Sequence, residues 1–300
     1  MRRPAWIAIL LAEARITASA ARSALALATL LAFTPAADAA GTLDRVQASG
    51  RFKIGYRVDA RPFSYPAANG EPAGYVVELC QNIADAVRQS TGKSRLDVSY
   101  VVVNAQNRFA ALQDGSADIV CDSSSITIGR RELVDFSLPI FVDGAGLLYR
   151  GQNELANFES LRDKRVGVVT GTTTEALLQN SLSGLGVKAT ISPAKDYAAG
   201  IDQLLGESLD AFMGDRSILA SLLHDRGTGS GLRLSKSYFS YEIYGLVLPK
   251  DDAAFRLLVD RTLARLYRNG RIKALLTRTF GDPEADPVLQ NLIIINSLPE

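Results

Sequence analysis

Apolar residues between positions 41 and 281 follow two alternating patterns. Short apolar runs bounded by turn residues indicate strands, and longer segments with apolar positions three or four residues apart indicate helices. The predicted strands are residues 52–56, 98–103, 119–121, 166–169, 188–191, 211–213 and 244–248. The predicted helices are residues 76–90, 108–113, 199–205, 217–224, 253–267 and 271–280, with one more beginning after Thr170. Strands that alternate with helices predict an α/β fold with largely parallel sheets.

An extended segment through Gly144 and Gly146 divides this pattern into two units. The chain leaves the first unit there and returns near Tyr244. We therefore expect a first lobe of residues 41–143 and 245–300, and a second, inserted lobe of residues 144–244. Two lobes joined by two crossing strands form a cleft, and small-molecule sites favour such clefts at the carboxyl ends of strands.

Residues 1–40 have the pattern of an export signal. Arginines at positions 2, 3, 15 and 22 precede an apolar run over residues 24–33, and small residues follow at 36–40. The run is shorter than the roughly 20 residues of a membrane span. We expect cleavage near Ala39 or Ala40 and a periplasmic mature protein.

The charge balance of the mature chain argues against nucleic acid as a partner. Without residues 1–40 the chain keeps 29 of its 33 basic and 30 of its 32 acidic residues, a net charge of about −1. It has no basic run that would follow a phosphate backbone.

Two cysteines, Cys80 and Cys121, complete the inventory of thiols. In an oxidising compartment an even count predicts a disulfide, and two buried free thiols are the alternative. Metal binding is not expected, because the single histidine, His224, has no histidine or cysteine near it in the sequence.

The segment from Cys121 to Arg130 contains the side chains best suited to bind a ligand. It places the hydroxyls of Ser123, Ser124 and Ser125 and one guanidinium directly after an apolar strand. The fork of donors on an arginine matches a carboxylate, and hydroxyls can donate beside it. Neither a histidine nor a pair of carboxylates stands nearby to perform catalysis. The segment favours binding a small carboxylate over transforming one.

Six motifs occur in an order that resembles a known family. They are Gly55-Tyr-Arg-Val-Asp-Ala-Arg-Pro-Phe-Ser-Tyr65, Gly74-Tyr75, Gln106-Asn-Arg108, Arg130 through Ser137, Gly171-Thr-Thr-Thr-Glu175 and Phe212-Met-Gly-Asp215. Together they resemble the periplasmic amino-acid-binding proteins of ABC importers, extracellular solute-binding family 3, and within it the glutamate/aspartate-binding branch. The resemblance implies a two-lobed type II periplasmic-binding fold that closes on an amino acid by hinge motion.

The resemblance also implies roles for individual residues. Arg130 matches the arginine that clamps the ligand α-carboxylate, and Ser123, Ser125 and Thr172 match its neighbours. Asp215 matches the aspartate that receives the α-ammonium. Three further positions, Arg57, Arg108 and Tyr197, would surround the ligand side chain, the two arginines as partners of an acidic group.

The chain departs from that branch in three places. Ala105 stands where the branch has a serine, Tyr197 where it has a histidine and Val169 where it has a threonine. These departures weaken the side-chain pocket, so glutamate, aspartate, glutamine and other dicarboxylates all stay open as ligands.

Most of these site residues also have a structural alternative, and Ser123 and Ser125 could be ordinary turn residues. Arg57 could form a structural salt bridge, Arg108 could pair with Asp114 or Asp118, and Asp215 could cap the following helix. Arg130 could be a helix-capping surface arginine.

Function has two alternatives as well. A dehydratase of the same fold would need an acid such as Glu175 or Glu242 in the cleft, and a sensor would present its closed form to a receptor. We expect no enzymatic activity and no cofactor. An ABC permease in the inner membrane is the expected partner, and a monomer the expected state.

Overall fold

The computed structural model describes residues 40–226, 231–283 and 286–300. The predicted signal peptide, residues 1–40, lies outside these residues except for Ala40. Among the described residues, no helix combines the length and apolar character that crossing a membrane requires.

The first half of the chain forms most of one lobe. Its elements in order are α1 (Thr42–Ser49), β1 (Arg51–Arg57), β2 (Tyr65–Pro66), β3 (Pro72–Ala73), α2 (Tyr75–Ser90), β4 (Asp97–Val103), α3 (Arg108–Gln113), β5 (Ile119–Cys121), α4 (Ile128–Arg131) and β6 (Asp135–Asp143).

The second half forms the other lobe and then returns. Its elements are β7 (Ala145–Arg150), a 3-10 turn (Phe158–Leu161), β8 (Arg165–Val169), α5 (Thr173–Gly184), β9 (Thr190–Ala194), α6 (Tyr197–Leu205), β10 (Ala211–Asp215), α7 (Arg216–Arg226), β11 (Leu232–Leu234), β12 (Glu242–Leu248), α8 (Ala253–Arg268), α9 (Arg271–Phe280) and α10 (Pro287–Asn296).

Two five-stranded sheets organise these elements. The first-lobe sheet has the order β4-β1-β5-β12-β6, and the second-lobe sheet has the order β11-β7-β10-β8-β9. The prediction of an α/β fold is confirmed, but the expectation of largely parallel sheets is wrong. Strands β1, β4 and β5 are parallel, as are β8, β9 and β10, while β12 and β7 run antiparallel to their neighbours. The strands that carry the chain out of and back into the first lobe add these antiparallel pairs.

Apolar faces explain why these segments fold where they do. Helix α2 buries Val76, Leu79, Ile83 and Val87 against the first-lobe sheet, which is the helical spacing the sequence shows. An aromatic cluster packs beneath the crossing strands, with Phe63 within 5.5 Å of the rings of Phe141, Tyr244 and Phe280. Phe63 is therefore a core residue.

The two crossing strands lie in close contact at Gly144. A Cβ added to Gly144 would lie 1.9 Å from the carbonyl oxygen of Ser240, so the close approach requires glycine. The amide of Ala145 donates to the Ser240 hydroxyl at 3.0 Å, and the amide of Phe239 donates to the Ala145 carbonyl at 2.8 Å. These contacts hold the departing and returning segments side by side.

A disulfide joins Cys80 of α2 to Cys121 at the end of β5. Both residues are fully buried. The predicted pairing is confirmed, and the alternative of two free thiols is wrong.

The C-terminal helix α10 packs against β6 and α8. Leu289 and Leu292 are buried on its inner face, whereas Ile294 and Ile295 are exposed.

Candidate functional site

Polar residues gather where the carboxyl ends of parallel strands from both sheets meet. From the first lobe come Arg57 at the end of β1 and Ser123 just after the neighbouring strand β5. From the second lobe come Asp215 at the end of β10 and Thr172 just after the adjacent strand β8. The geometry is that of a cleft site between α/β lobes.

Four of the eight predicted site residues form a chain of contacts across the two lobes. The Ser123 hydroxyl donates to Asp215 Oδ2 at 3.4 Å, and the Asp215 amide donates to the Tyr197 hydroxyl at 3.0 Å. The guanidinium of Arg57 lies 5.8 Å from the centre of the Tyr197 ring. All four residues, Arg57, Ser123, Tyr197 and Asp215, are buried.

Arg108 and Arg130 flank the ring of Phe109. Their guanidinium carbons lie 4.4 and 5.4 Å from the ring centre, a cation–π arrangement. Arg130 donates through Nη1 to the Ser125 carbonyl at 2.9 Å, and its amide donates to the Thr127 hydroxyl that caps α4. Burial lowers the pKa of Arg130, with nearby carboxylates opposing the effect. Arg130 is therefore only partly exposed and not a freely solvated surface arginine.

Arg108 is buried, and both of its hydrogen bonds go to neutral acceptors. Its Nε donates to the Ser124 hydroxyl at 2.9 Å and its Nη1 to the Ala105 carbonyl. Asp122 Oδ2 lies 3.4 Å from Nε. Burial lowers the pKa of Arg108 to about 10; Asp122 opposes this shift, and the charges of Arg130 and Arg57 add to it.

The alternative that Arg108 pairs with Asp114 or Asp118 is wrong. Asp118 pairs with Arg45 at 3.3 Å, and Asp114 accepts from the Ser116 amide at 2.8 Å. Asp122, which comes directly after β5, is the carboxylate that faces Arg108.

Asp122 is an unusual group for a protein interior. It is fully buried, and neither of its carboxylate oxygens accepts a hydrogen bond from any described residue. A buried carboxylate without donors is costly unless positive charge surrounds it. The charges of Arg57, Arg108 and Arg130 all act with that of Asp122, so Asp122 serves as their shared counter-ion.

Arg57 has a closer partner than the sequence indicated. Its Nε and Nη2 donate to the two oxygens of Asp59, each at 2.8 Å. Burial would lower the pKa of Arg57, but the Asp59 carboxylate more than offsets this and the pKa rises. The alternative of a structural salt bridge is thus observed.

Asp215 belongs to a group of three carboxylates beside the crossing strands. Burial raises its pKa to about 7, and the charges of Glu242 and Asp143 add to the shift. Burial also raises the pKa of Asp143 to about 6, although amides of Ser217 and Gly144 oppose it. A cationic group placed here would relieve the repulsion between these carboxylates.

The Thr172 hydroxyl is already used in local hydrogen bonds. It caps α5 by accepting from the Glu175 amide at 3.1 Å, and it donates to the Val169 carbonyl at 2.7 Å. Glu175 completes the cap by accepting from the Gly171 amide at 2.9 Å. No described contact ties the Thr172 side chain to the other predicted site residues.

Sequence reasoning did not single out Thr173, yet this is the threonine that reaches across the cleft. Its hydroxyl lies 3.1 Å from the Ser125 hydroxyl and donates to Glu242 Oε2 at 2.6 Å. Glu242 also accepts from Ser125 and, through Oε1, from Ser240 at 3.1 Å. A groove of about 830 Å³ opens beside this contact and includes none of Arg57, Arg108 and Arg130 in its lining.

Comparison with known proteins identifies the family. Residues 52–282 match the model of the bacterial extracellular solute-binding proteins, family 3. The chain belongs to this family. Its two-lobed type II fold, predicted from the sequence, is confirmed.

Two curated relatives are named for glutamate and aspartate. The chain is 31% identical to the L-glutamate/L-aspartate-binding protein of Pseudomonas aeruginosa over 270 residues, covering 90% of this chain and 89% of the relative. It is 32% identical to the glutamate/aspartate import solute-binding protein of Escherichia coli over 249 residues, covering 83% and 82%.

A solved structure has a related fold. It is an ancestral amino acid-binding protein described as a precursor of cyclohexadienyl dehydratase. It matches with a TM-score of 0.69 and 25% identity, covering 80% of this chain and 100% of that one.

Both acids that a dehydratase could use, Glu175 and Glu242, are engaged as hydrogen-bond acceptors. Glu175 holds the cap of α5, and Glu242 holds three hydroxyls beside the crossing strands. The relatives named above are binding proteins and not enzymes. The described residues also include no group of histidine, cysteine and carboxylate side chains that could hold a metal ion.

Proposed function

We propose that this protein captures an acidic or related polar L-amino acid, with glutamate and aspartate foremost, and delivers it to an ABC permease. The observation that carries the proposal is the position of Arg57, Arg130 and Asp215 around Arg108, whose pKa is affected by the charges of all three. Three guanidiniums and one carboxylate complement a ligand that has carboxylates and one ammonium group. The names of the two curated relatives support the same ligand class.

Each contact follows from charge and position. Arg130 binds the α-carboxylate beside Ser123, Ser125 and Thr172 at the start of α5, where a helix N-terminus favours an anion. Asp215 receives the α-ammonium. Arg57, Arg108 and Tyr197 surround the side chain. Because an apolar side chain offers no acceptor to the guanidiniums around it, the pocket favours polar ligands.

The lobes close over the ligand as a hinge. The proposed boundaries are residues 41–143 and 245–300 for the first lobe and 144–244 for the second. The contacts at Gly144 and Ser240 support a hinge there. Ligand contacts from both lobes would stabilise the closed state, because only differential affinity shifts such an equilibrium.

The family of extracellular binding proteins supports export. We propose that residues 1–40 direct the chain to the periplasm, that cleavage falls near Ala39 or Ala40, and that the mature protein acts as a monomer beside an inner-membrane permease. Mass spectrometry of the exported protein would locate the cleavage. Co-purification with a permease would support transport. Activation of a receptor by the ligand-bound protein would support sensing.

Calorimetric titration of the refolded mature protein with the twenty amino acids tests the ligand. Refolding removes ligand carried through purification. Binding of glutamate or aspartate at about micromolar Kd, roughly −8 kcal/mol, is the expected result. Binding of a cationic or apolar amino acid alone would contradict the ligand class, and binding of none would contradict the function.

A further inference from the structure

The carboxylate of Asp59 binds the edge of the Arg57 guanidinium that could otherwise bind a ligand carboxylate. Both contacts are 2.8 Å, one from Nε and one from Nη2, and they form the parallel two-bond arrangement that arginine makes with carboxylates. The pair is desolvated, with the Arg57 side chain 3% exposed and the Asp59 side chain 12% exposed. It is therefore not an ordinary surface ion pair, whose contribution would be small.

The two arginines predicted to read the ligand side chain are not equivalent. Arg57 has a full carboxylate in its fork, whereas Arg108 donates to a hydroxyl and a carbonyl. The nearest carboxylate to Arg108, that of Asp122, lies 3.4 Å away without a hydrogen bond. The charge of Arg57 is thus balanced by the hydrogen-bonded carboxylate of Asp59. The charge of Arg108 is balanced less completely, because Asp122 forms no hydrogen bond with it.

We propose that Asp59 is a selectivity-determining residue, a built-in carboxylate that competes with the ligand side chain for Arg57. With Asp59 in place, the pocket accepts side-chain amides as well as side-chain carboxylates, because an amide leaves no unpaired charge at Arg57. The substrate class becomes L-amino acids with either an acidic or an amide side chain. This inference rests on the proposed function and refines it.

Asp59 also contacts the second lobe. Its Oδ2 accepts from the Tyr197 amide at 3.4 Å, at the first residue of α6. Asp59 therefore contributes a contact between the lobes in addition to its ion pair with Arg57.

The loop around Asp59 has its own support, which makes the residue open to substitution. The Arg57 amide donates to the Ser64 hydroxyl at 2.9 Å, and that hydroxyl donates back to the Arg57 carbonyl at 3.0 Å. The Ala60 amide donates to the Ser64 carbonyl at 3.1 Å. Replacing the Asp59 carboxylate by an amide leaves these bonds intact.

Calorimetry with glutamate, glutamine, aspartate and asparagine on the wild type and on Asp59→Asn tests the proposal. In Asp59→Asn the side chain has no charge and can accept only one of the two bonds, so the charge of Arg57 is left for the ligand and the preference for glutamate over glutamine should rise by at least about tenfold. Asp225→Asn is the matched control. It removes the carboxylate from an exposed pair, with Arg61 at 3.6 Å, and should leave the preference unchanged.

A double-mutant cycle with Arg57→Gln identifies the mechanism. Arg57→Gln should weaken glutamate binding at least about tenfold more in the Asp59→Asn background than in the wild type, because only there does the ligand use the fork. Asp59→Ser provides a second variant if Asp59→Asn does not fold, as judged by circular dichroism.

The outcomes distinguish the role of Asp59 from the proposed function. An unchanged preference in Asp59→Asn and Asp59→Ser, with all four ligands still bound, overturns the role of Asp59 alone. A wild type that binds glutamate with no measurable glutamine binding also overturns it. A wild type that binds none of the four overturns the proposed function.

Discussion

At the scale of single residues, Asp215 connects ligand binding to pH. Its pKa is raised to about 7 by burial first and by Glu242 and Asp143 next. A carboxyl group whose pKa is higher in the folded state stabilises the fold at low pH. That contribution is complete below the unfolded value near 4 and is lost as the pH rises toward about 7.

Ligand binding should have the opposite pH dependence. An ammonium group requires the ionised carboxylate, so at about pH 6 binding should release most of a proton, and affinity should fall up to about tenfold per pH unit below 7. Calorimetry in two buffers of different ionisation enthalpy measures the release. Asp215→Asn should bind weakly and release none from this site. Equal heats in both buffers for the wild type would contradict the ammonium assignment.

Arg130 offers a test of the α-carboxylate contact. Arg130→Lys keeps the charge and loses the fork, so glutamate affinity should fall by about ten- to a hundredfold. The adjacent Arg131→Lys is the matched control, since Arg131 is exposed and lies 5.9 Å from the ring of Phe136. Equal affinities for both variants would move the carboxylate elsewhere.

The sequence indicated candidate site residues but not the protein groups with which they pair. Of these residues, Ser123 contacts Asp215 from the other lobe, Arg130 contacts the Ser125 carbonyl and Arg57 lies against the Tyr197 ring. It did not indicate that Asp59 fills the fork of Arg57, although an acid two residues after an arginine at a strand end was a local signal. It could not indicate Thr173, because that contact joins residues 48 and 69 positions apart.

At the scale of elements, long helices with a continuous apolar stripe were predictable. Helices α2 and α8 were expected within two residues of their observed bounds. The two-residue strands β2 and β3 and the helix α1 were not predicted, because such short elements have too few positions to show a period. Strand β9 was expected at 188–191 and lies at Thr190–Ala194, where its pairing with β8 decides the register.

The disulfide between α2 and β5 should contribute strongly to stability. It closes a loop with a sequence separation of 41. The loss of this constraint in Cys80→Ala/Cys121→Ala should lower the free energy of unfolding by about 2–4 kcal/mol. Urea unfolding measures the change. Reductant should lower the midpoint of the wild type and leave the double variant unaffected; a reductant effect on both would point to a different cause.

Gly144 should tolerate no side chain. The backbone carbonyl of Ser240 would lie 1.9 Å from the new Cβ, and backbone yields less readily than a flexible side chain. Gly144→Ala should cost about 1–3 kcal/mol of stability. Gly184→Ala, at the end of α5 with no atom within 4 Å of its Cβ position, should be neutral or slightly stabilising. Equal melting temperatures for the two variants would contradict the close approach.

At the scale of the whole molecule, closure depends on a small set of contacts between the lobes. Gln106 Nε2 donates to the Thr170 carbonyl at 2.6 Å, and Thr173 contacts both Ser125 and Glu242. Thr173→Val removes two of these hydrogen bonds and should weaken ligand affinity by about three- to tenfold by favouring the open state.

Single-molecule distance measurements between dyes on the two lobes test this expectation. A larger open fraction without ligand should accompany the weaker binding of Thr173→Val. Thr190→Val, exposed on β9, is the matched control. A variant with weaker binding and an unchanged open fraction would assign Thr173 to ligand contact instead of closure.

The contact between Gly144 and Ser240 has a consequence for how the protein can be rebuilt. Because both ends of the inserted segment meet there, the segment has the layout of a removable module, and exchange with that of a relative would create only two neighbouring junctions. Arg57, Arg108 and Arg130 all lie outside it. A chimera should therefore keep the arginines of the host chain at positions 57, 108 and 130, and take the residues at positions 197 and 215 from the donor.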